Sequence, residues 1–546
     1  MLGGELFSHF LNVMLLTLLI APLVLWRYRR AVLAGMMGRP GPALPVLATL
    51  PAARPDDGRQ QARGASASEA LAWEKRMRRR VFVAVLLATF VPALLLSALT
   101  LHLDNQPMTP VHLYLKAAVL ASMAVPMFAV FTAIPWWPAL RLWCLTLLVL
   151  AVIGVLLSML QRPLYGQWPS LDQSMNFVLF FQYAALTLWL PMLLGLATGA
   201  RRVRGVAPIA FAGLLVFGLA PLLGMRLTQW LTGSQTGAAW VLSGPGLDTG
   251  FILLALPVGL LAWRRLKTLA RDYDSKRFSD AQLLAHTWWL LVVAGNAVEG
   301  VSAHEGVATQ QLLILAVSAL AYLTFAPLLA WALKRAYGPS PQMARPAPRT
   351  LLLLRVFGDT ARTEALFDRI ASRWQLFGPV TMIAAPDVIA RTVDPGDFLN
   401  FASGNIGASF VNTQADLDQR LATLDRQPDP DGRYRVNEFC CRDSTWQATV
   451  VELIERADAV VMDLRGFSAQ RLGCEFELRE LSTRLNAEQV VLVVDGSTDR
   501  ALLARSIGAG ASRMQLIEVE RRSAKQTDAA FVALLRAAGK YEPAFD

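Results

Sequence analysis

Residues 457–478, ADAVVMDLRGFSAQRLGCEFEL, place two carboxylates, Asp463 and Glu477, at the end of a buried-strand pattern and at the opening of a helical one. The last of the five histidines is His304, so any chemistry beyond it is done without the commonest general base, with Glu477 the first candidate and Asp463 the second. The same absence removes Ser-His-Asp and Cys-His catalysis and histidine-ligated metals from the C-terminal part. No GxGxxG follows its first strand and no GxxxxGK[ST] occurs anywhere, which argues against ordinary dinucleotide and P-loop sites. The stretch DPDGR at 429–433 has Cys440 where a calcium loop needs a glutamate, and reads as a turn. Cys474 in a first helical turn is either a lowered-pKa thiol or, more often for such a residue, a small packing group. A lone carboxylate in that turn ordinarily only complements the helix dipole.

The elements that would position these groups follow from period. An apolar run at 351–357 leads to a helical pattern at 363–374 and a second strand, GPVTMIAA. After a less regular middle come a helix at 446–456, a strand at 457–464, a helix at 474–485, a strand at 489–494 and helices at 498–507 and 527–538. Strands alternating with helices give an α/β domain with a mainly parallel sheet. Ligands of such sheets bind beyond the carboxyl ends of the strands, here at 357–359, 385–387, 463–467 and 495–498. Substrate-binding candidates at those tips are Arg355, Phe357, Gly358, Arg465 and Phe467; the two arginines could hold phosphate or carboxylate groups, or equally form surface ion pairs.

The 546 residues are 54% hydrophobic and 17% charged, too long for one domain and too apolar for an ordinary soluble chain. Residues 1–337 read as a membrane all-α region of about nine transmembrane helices, at 6–26, 81–101, 117–137, 142–160, 177–200, 206–225, 250–263, 288–302 and 310–331. Loop 27–80 carries 12 Lys and Arg and is expected in the cytoplasm, which puts the N-terminus outside and the C-terminal domain inside an inner membrane. Within it 38–68 lacks periodicity, and 68–80 reads as a helix running into the second span. Four prolines in 338–349 mark a stiff linker to the domain at 350–546. The net charge of +11 belongs to the membrane part: 338–546 holds 25 basic against 28 acidic residues, so no nucleic-acid partner is expected. Four cysteines without CxxC form neither a disulfide framework nor a zinc site. Ionisable residues are nearly absent from the spans; Glu299, His304 and Glu305 cluster near one end of the eighth, where interfacial placement accounts for them.

The block 445–478 resembles the central part of TIR domains, in which an amphipathic helix leads to an apolar strand, a Phe-containing loop and a Trp-Cys-x-x-Glu-Leu-like helix start. Cys474, Glu477 and Leu478 hold those places, with Gly473 where many members have Trp. Arg391, Pro395 and Gly396 look loosely like that family's Arg-Asp-x-x-Pro-Gly loop. The block is also similar to nucleoside 2-deoxyribosyltransferases through Asp458, Asp463, Gly473 and Glu477. Departures are the first strand, which lacks Asp-x-Phe-Ile-Ser-Tyr, and an insertion at 400–445. The resemblance implies a TIR-like or Rossmann-like fold and loss of a base from a ribosyl group, with Glu477 as nucleophile or stabiliser of an oxocarbenium-like state.

The expected function is therefore a membrane-anchored signalling or defence effector that cleaves the N-glycosidic bond of NAD or a related nucleotide, with the nucleotide as substrate and no cofactor or metal. The alternative is a non-enzymatic nucleotide-binding or self-association module forming homo-oligomers through the cytoplasmic domain; a transporter with a regulatory tail ranks below both. The expected partners are the lipid bilayer and a nucleotide.

Overall fold

The computed structural model describes residues 26–35, 67–103, 110–165 except 123, 133 and 135, 271–303, 308–338, 347–355, 360–384, 410–508 except 443, 514–520 and 524–539, with isolated positions between. The chain forms a helical N-terminal region and a C-terminal α/β domain, and divides into two compact units. One comprises Met1–Tyr28, Val81–Ala336 and Val393–Asn405; the other comprises Arg29–Arg80, Tyr337–Thr392 and Ile406–Asp546.

The helical unit contains α1 (Ala67–Leu103) from Val81 onward, α2 (Pro110–Ala121), α3 (Ala124–Thr132), α4 (Trp136–Tyr165), α5 (Asp280–Ala303) and α6 (Ala308–Tyr337) as far as Ala336. Among the described residues two helices, α1 and the stretch Thr309–Tyr337 of α6, are long and apolar enough to cross a membrane, not nine. The expected helix at 68–80 does run without a break into the second expected span. The third span, 117–137, is interrupted: Pro126 has no N–H to continue the ladder. Ser122 instead turns its Oγ to the Val119 carbonyl at 2.6 Å and accepts a bond from Trp143 Nε1 at 3.2 Å. In the fourth, Pro138–Ile153 is a shorter apolar stretch of α4. The eighth lies in α5, where Asn296 Nδ2 donates to its own helix at Val292 O, 2.8 Å away. The fifth, sixth and seventh spans lie outside the described residues, as do all but three positions of the first, and His304 and Glu305.

The α/β unit is built on one seven-stranded sheet in the order β3-β4-β2-β1-β5-β6-β7, and every pairing is parallel. Its strands are β1 (Leu351–Arg355), β2 (Val380–Ala384), β3 (Phe410–Val411), β4 (Val436–Cys441), β5 (Ala459–Asp463), β6 (Val490–Val494) and β7 (Gln515–Glu518). The helices are α7 (Thr360–Trp374), α8 (Gln414–Ala422), α9 (Trp446–Arg456), α10 (Leu472–Arg484), α11 (Arg500–Ile507) and α12 (Ala524–Gly539).

β1, β5 and β6 are buried at every residue because both faces are covered, which is why they read as unbroken apolar runs. α7 and α12 pack together on one face, with Trp374 and Phe531 edge-on at 6.3 Å; α9, α10 and α11 follow one another on the other. Leu352, Leu354, Val460, Met462 and Leu464 share a core with Ile454, Leu478 and Leu503 on that second face. The middle segment that reads as irregular supplies β3, α8 and β4 and extends the sheet beyond β2, and β7 closes the opposite edge. Without β3 and β4 the remaining order is the doubly wound 2-1-3-4-5 arrangement, whose direction reverses between β1 and β5.

Residues 67–80 of α1 belong to this unit as well. Glu74 accepts from Arg373 Nε and Nη2 at 3.0 and 2.7 Å, and the Trp73 ring lies 5.5 Å from that of Phe377. The turn expected at 429–433 is formed, with Gly432 at φ 76° and its N–H donating to Asp429 O at 2.8 Å.

Candidate functional site

The reversal point of a doubly wound sheet leaves a crevice beyond the carboxyl ends of the two central strands, because the helices that follow them leave toward opposite faces. Here those ends are Arg355 on β1 and Asp463 on β5, partners in register. The chain after β5 turns sharply at Gly466, whose φ of 79° favours glycine, and Phe467 N–H closes the turn on Leu464 O at 3.0 Å. Thr498 Oγ1 donating to Leu464 O and Asp499 N–H donating to Phe467 O, both at 3.0 Å, stitch this loop to the tip of β6. The loop is thus a fixed platform from which α10 starts.

Within α10 the buried residues are Cys474, Glu477, Leu478 and Leu481, the one-faced spacing of an amphipathic helix with a carboxylate in a place that calls for an aliphatic side chain. The helix begins at Leu472, two residues before the expected start, so the acid of its first turn is Glu475 and Glu477 lies in the second turn. Complementing the helix dipole therefore falls to Glu475. Glu477 is 2% exposed, and among the described residues its Oε2 has no hydrogen-bond partner. Burial pushes its carboxyl up to about 8, and the positive charge of Arg355 offsets part of that rise. A side chain on a helix lies over the turn before its own Cα, which for Glu477 is the turn of Gly473 and Cys474.

That turn has two neighbours. Cys474 Sγ points to Arg355 O at 3.8 Å, which seats α10 on the end of β1. The indole of Trp446, first residue of α9, lies where a Cβ on Gly473 would meet its Cη2 at 3.5 Å, and its ring is edge-on to Phe476 at 5.5 Å. Trp446 and Phe476 thus pack beside the turn over which Glu477 lies, a placement that sequence reasoning missed. The available signal was a tryptophan opening a helix directly after a strand tip.

The other predicted residues are placed differently. Asp463 is wholly buried and accepts from Arg465 Nε and Nη2 at 2.8 and 2.7 Å, so each neutralises the other. Asp463 also alternates with Met462 and Leu464, which sit in the α9–α11 core, so it projects to the opposite face from Glu477; the structure does not bring the two carboxylates together. Phe467 is a fully buried member of the core. Phe357, Gly358, Arg391, Pro395 and Gly396 lie outside the described residues. Asp458 stands before β5 and accepts from Thr350 N–H at 2.7 Å, about 16 Å along the strand from the crevice.

Burial pushes the Cys441 thiol up to about 11, against weaker opposing effects of Thr449, Arg420 and Thr445, and Cys474 is packed. Among the described residues no three His, Cys, Asp or Glu side chains converge to hold a metal ion. The groups that remain are a neutralised ion pair, a cation and one buried acid with an unused oxygen. No protein-family model, curated protein or solved structure matches this chain.

Proposed function

We propose that this chain is an integral membrane protein whose α/β domain, of TIR-like or deoxyribosyltransferase-like kind, cleaves the N-glycosidic bond of NAD or a related nucleotide. The observation that carries this is the Glu477 carboxyl, buried at the reversal point of the sheet with Oε2 unpartnered. A buried acid without a donor is costly, and such groups concentrate where a ligand completes the site. Breaking a C1′–N bond leaves the electron pair with the base and positive charge on the ribosyl ring, which an adjacent carboxylate stabilises before water adds its hydroxyl to C1′ and releases its remaining proton to solvent. Arg355 ends β1, and its positive charge, which acts on Glu477, suits a phosphate of the same ligand.

In this proposal the helical unit is the membrane anchor and sensor, the C-terminal domain is cytoplasmic at an inner membrane, and the N-terminus is outside. Supporting it are the two span-length helices and the outward-facing Leu312, Leu323 and Trp331 of α6, each at least 60% exposed. A binding or self-association module shares the unpartnered carboxyl and differs in not needing its charge.

The deciding experiment measures nicotinamide and free-base release from NAD and a nucleoside panel by the full chain in detergent, beside Glu477→Gln. The full chain is required because residues 67–80 pack into the α/β unit. Release lost in the variant supports the enzyme; no release from the parent at any protein density sinks it in favour of a binding or assembly role.

A further inference from the structure

Residues 67–80 form a helix with two unlike faces. Ala70, Trp73, Glu74 and Met77 are all under 5% exposed, spaced three and four apart, and Glu74 is locked by Arg373. Arg78, at the border of that face, is also held by Glu74 at 2.7 Å, and Arg373 lies 3.9 Å over the Phe531 ring. The inner face is therefore fully engaged with the α/β domain.

The outer face carries Lys75, Arg76 and Arg79, all exposed, and half-buried Arg80 on its edge. None of the four makes an ion pair among the described residues, and the one acid on that face is Glu69 in the first turn. From Val81 the same helix continues as one of the two apolar segments long enough to cross a bilayer. Four cations beside the start of an apolar span sit at the height of lipid phosphates, where the charge of each is matched without displacing any packed group. The positive-inside rule accounts for the sign of this segment; it does not account for the segregation of its cations onto the one face the domain leaves open.

We propose that the outer face of residues 67–80 binds anionic phospholipid headgroups, making this helix a two-sided strap between the lipid surface and the α/β domain. The proposal rests on the reading that α1 crosses a bilayer, and is independent of any activity at Glu477. Its test is native mass spectrometry of the full chain in detergent with added phosphatidylglycerol or phosphatidylcholine, beside a variant carrying Lys75→Gln, Arg76→Gln, Arg79→Gln and Arg80→Gln. Phosphatidylglycerol should bind the parent at least about tenfold better than the variant, with phosphatidylcholine equal on both. A charge-preserving variant (K75R, R76K, R79K, R80K) should retain the binding, which separates lost charge from lost folding. Equal phosphatidylglycerol binding by parent and Gln variant overturns the proposal, and displacement by millimolar inorganic phosphate overturns the lipid as its ligand. Extraction of the chain from membranes by alkaline carbonate would instead remove the membrane reading beneath it.

Discussion

The two edges of the sheet differ in one buried carboxylate. At the amino edge Asp458 accepts from Thr350 N–H at 2.7 Å with Arg349 at 3.8 Å, and Asp429 accepts from Arg435 Nε at 3.0 Å. At the carboxyl edge Asp463 is clasped by Arg465, while Glu477, also buried, keeps an oxygen that no donor among the described residues reaches. Of the described buried carboxylate oxygens it is alone in this. A fold that satisfies its other acids and leaves one open has the open one at the place where its topology makes room for a ligand.

The contrast breaks most readily at Glu477 itself. Glu477→Gln should lower base release by about a hundredfold or more while the protein stays folded, read from product formation at equal concentration. Asp463→Asn should do the reverse: leaving Arg465 buried and uncompensated costs on the order of 3–5 kcal/mol, seen as an early thermal transition before any effect on chemistry.

The titration of Glu477 sharpens the same difference. Its carboxyl is raised from 4.5 to about 8 on folding, so the native state holds the proton more tightly than the unfolded one. The stability this gives is present below 4.5 and is lost as pH rises through about 8. Melting of the parent should therefore fall across that window by the equivalent of a few kcal/mol, and Glu477→Gln should flatten the fall. If Glu477 acts as the anion, kcat/KM for base release should climb with pH to a plateau above about 8. The smallest effect is expected at Trp446. Trp446→Ala should admit water to Glu477 and bring its titration down by about one pH unit, visible as a shifted pH–stability curve; an unmoved curve would remove the indole from the site.

Much of the α/β domain is legible in the residues. LLLLR, AVVMD and VVLVV are too short and too continuously apolar for anything but doubly covered strands, and the 446–456 helix is read to the residue because its apolar face repeats cleanly. β3 has two residues, β4 begins with half-buried Val436 and Asn437, and β7 alternates as edge strands do, so none carries such a run. In the helical unit, hydropathy alone treats 117–137 as one span, whereas Pro126 and the Trp143–Ser122 bond break it.

By itself the sequence excluded histidine chemistry from the C-terminal part and made Glu477 the first candidate among its carboxylates. Composition and local period suffice for such statements because they depend on residues near in the chain. Only the tertiary structure decided that Asp463 is neutralised by Arg465 on the opposite face, that Phe467 is core, that Trp446 lies against the turn of Gly473 and that residues 67–80 pack into the α/β unit. Whether a buried polar atom is satisfied depends on partners brought from distant positions by strand order, and strand order is fixed by how the whole sheet closes over its core.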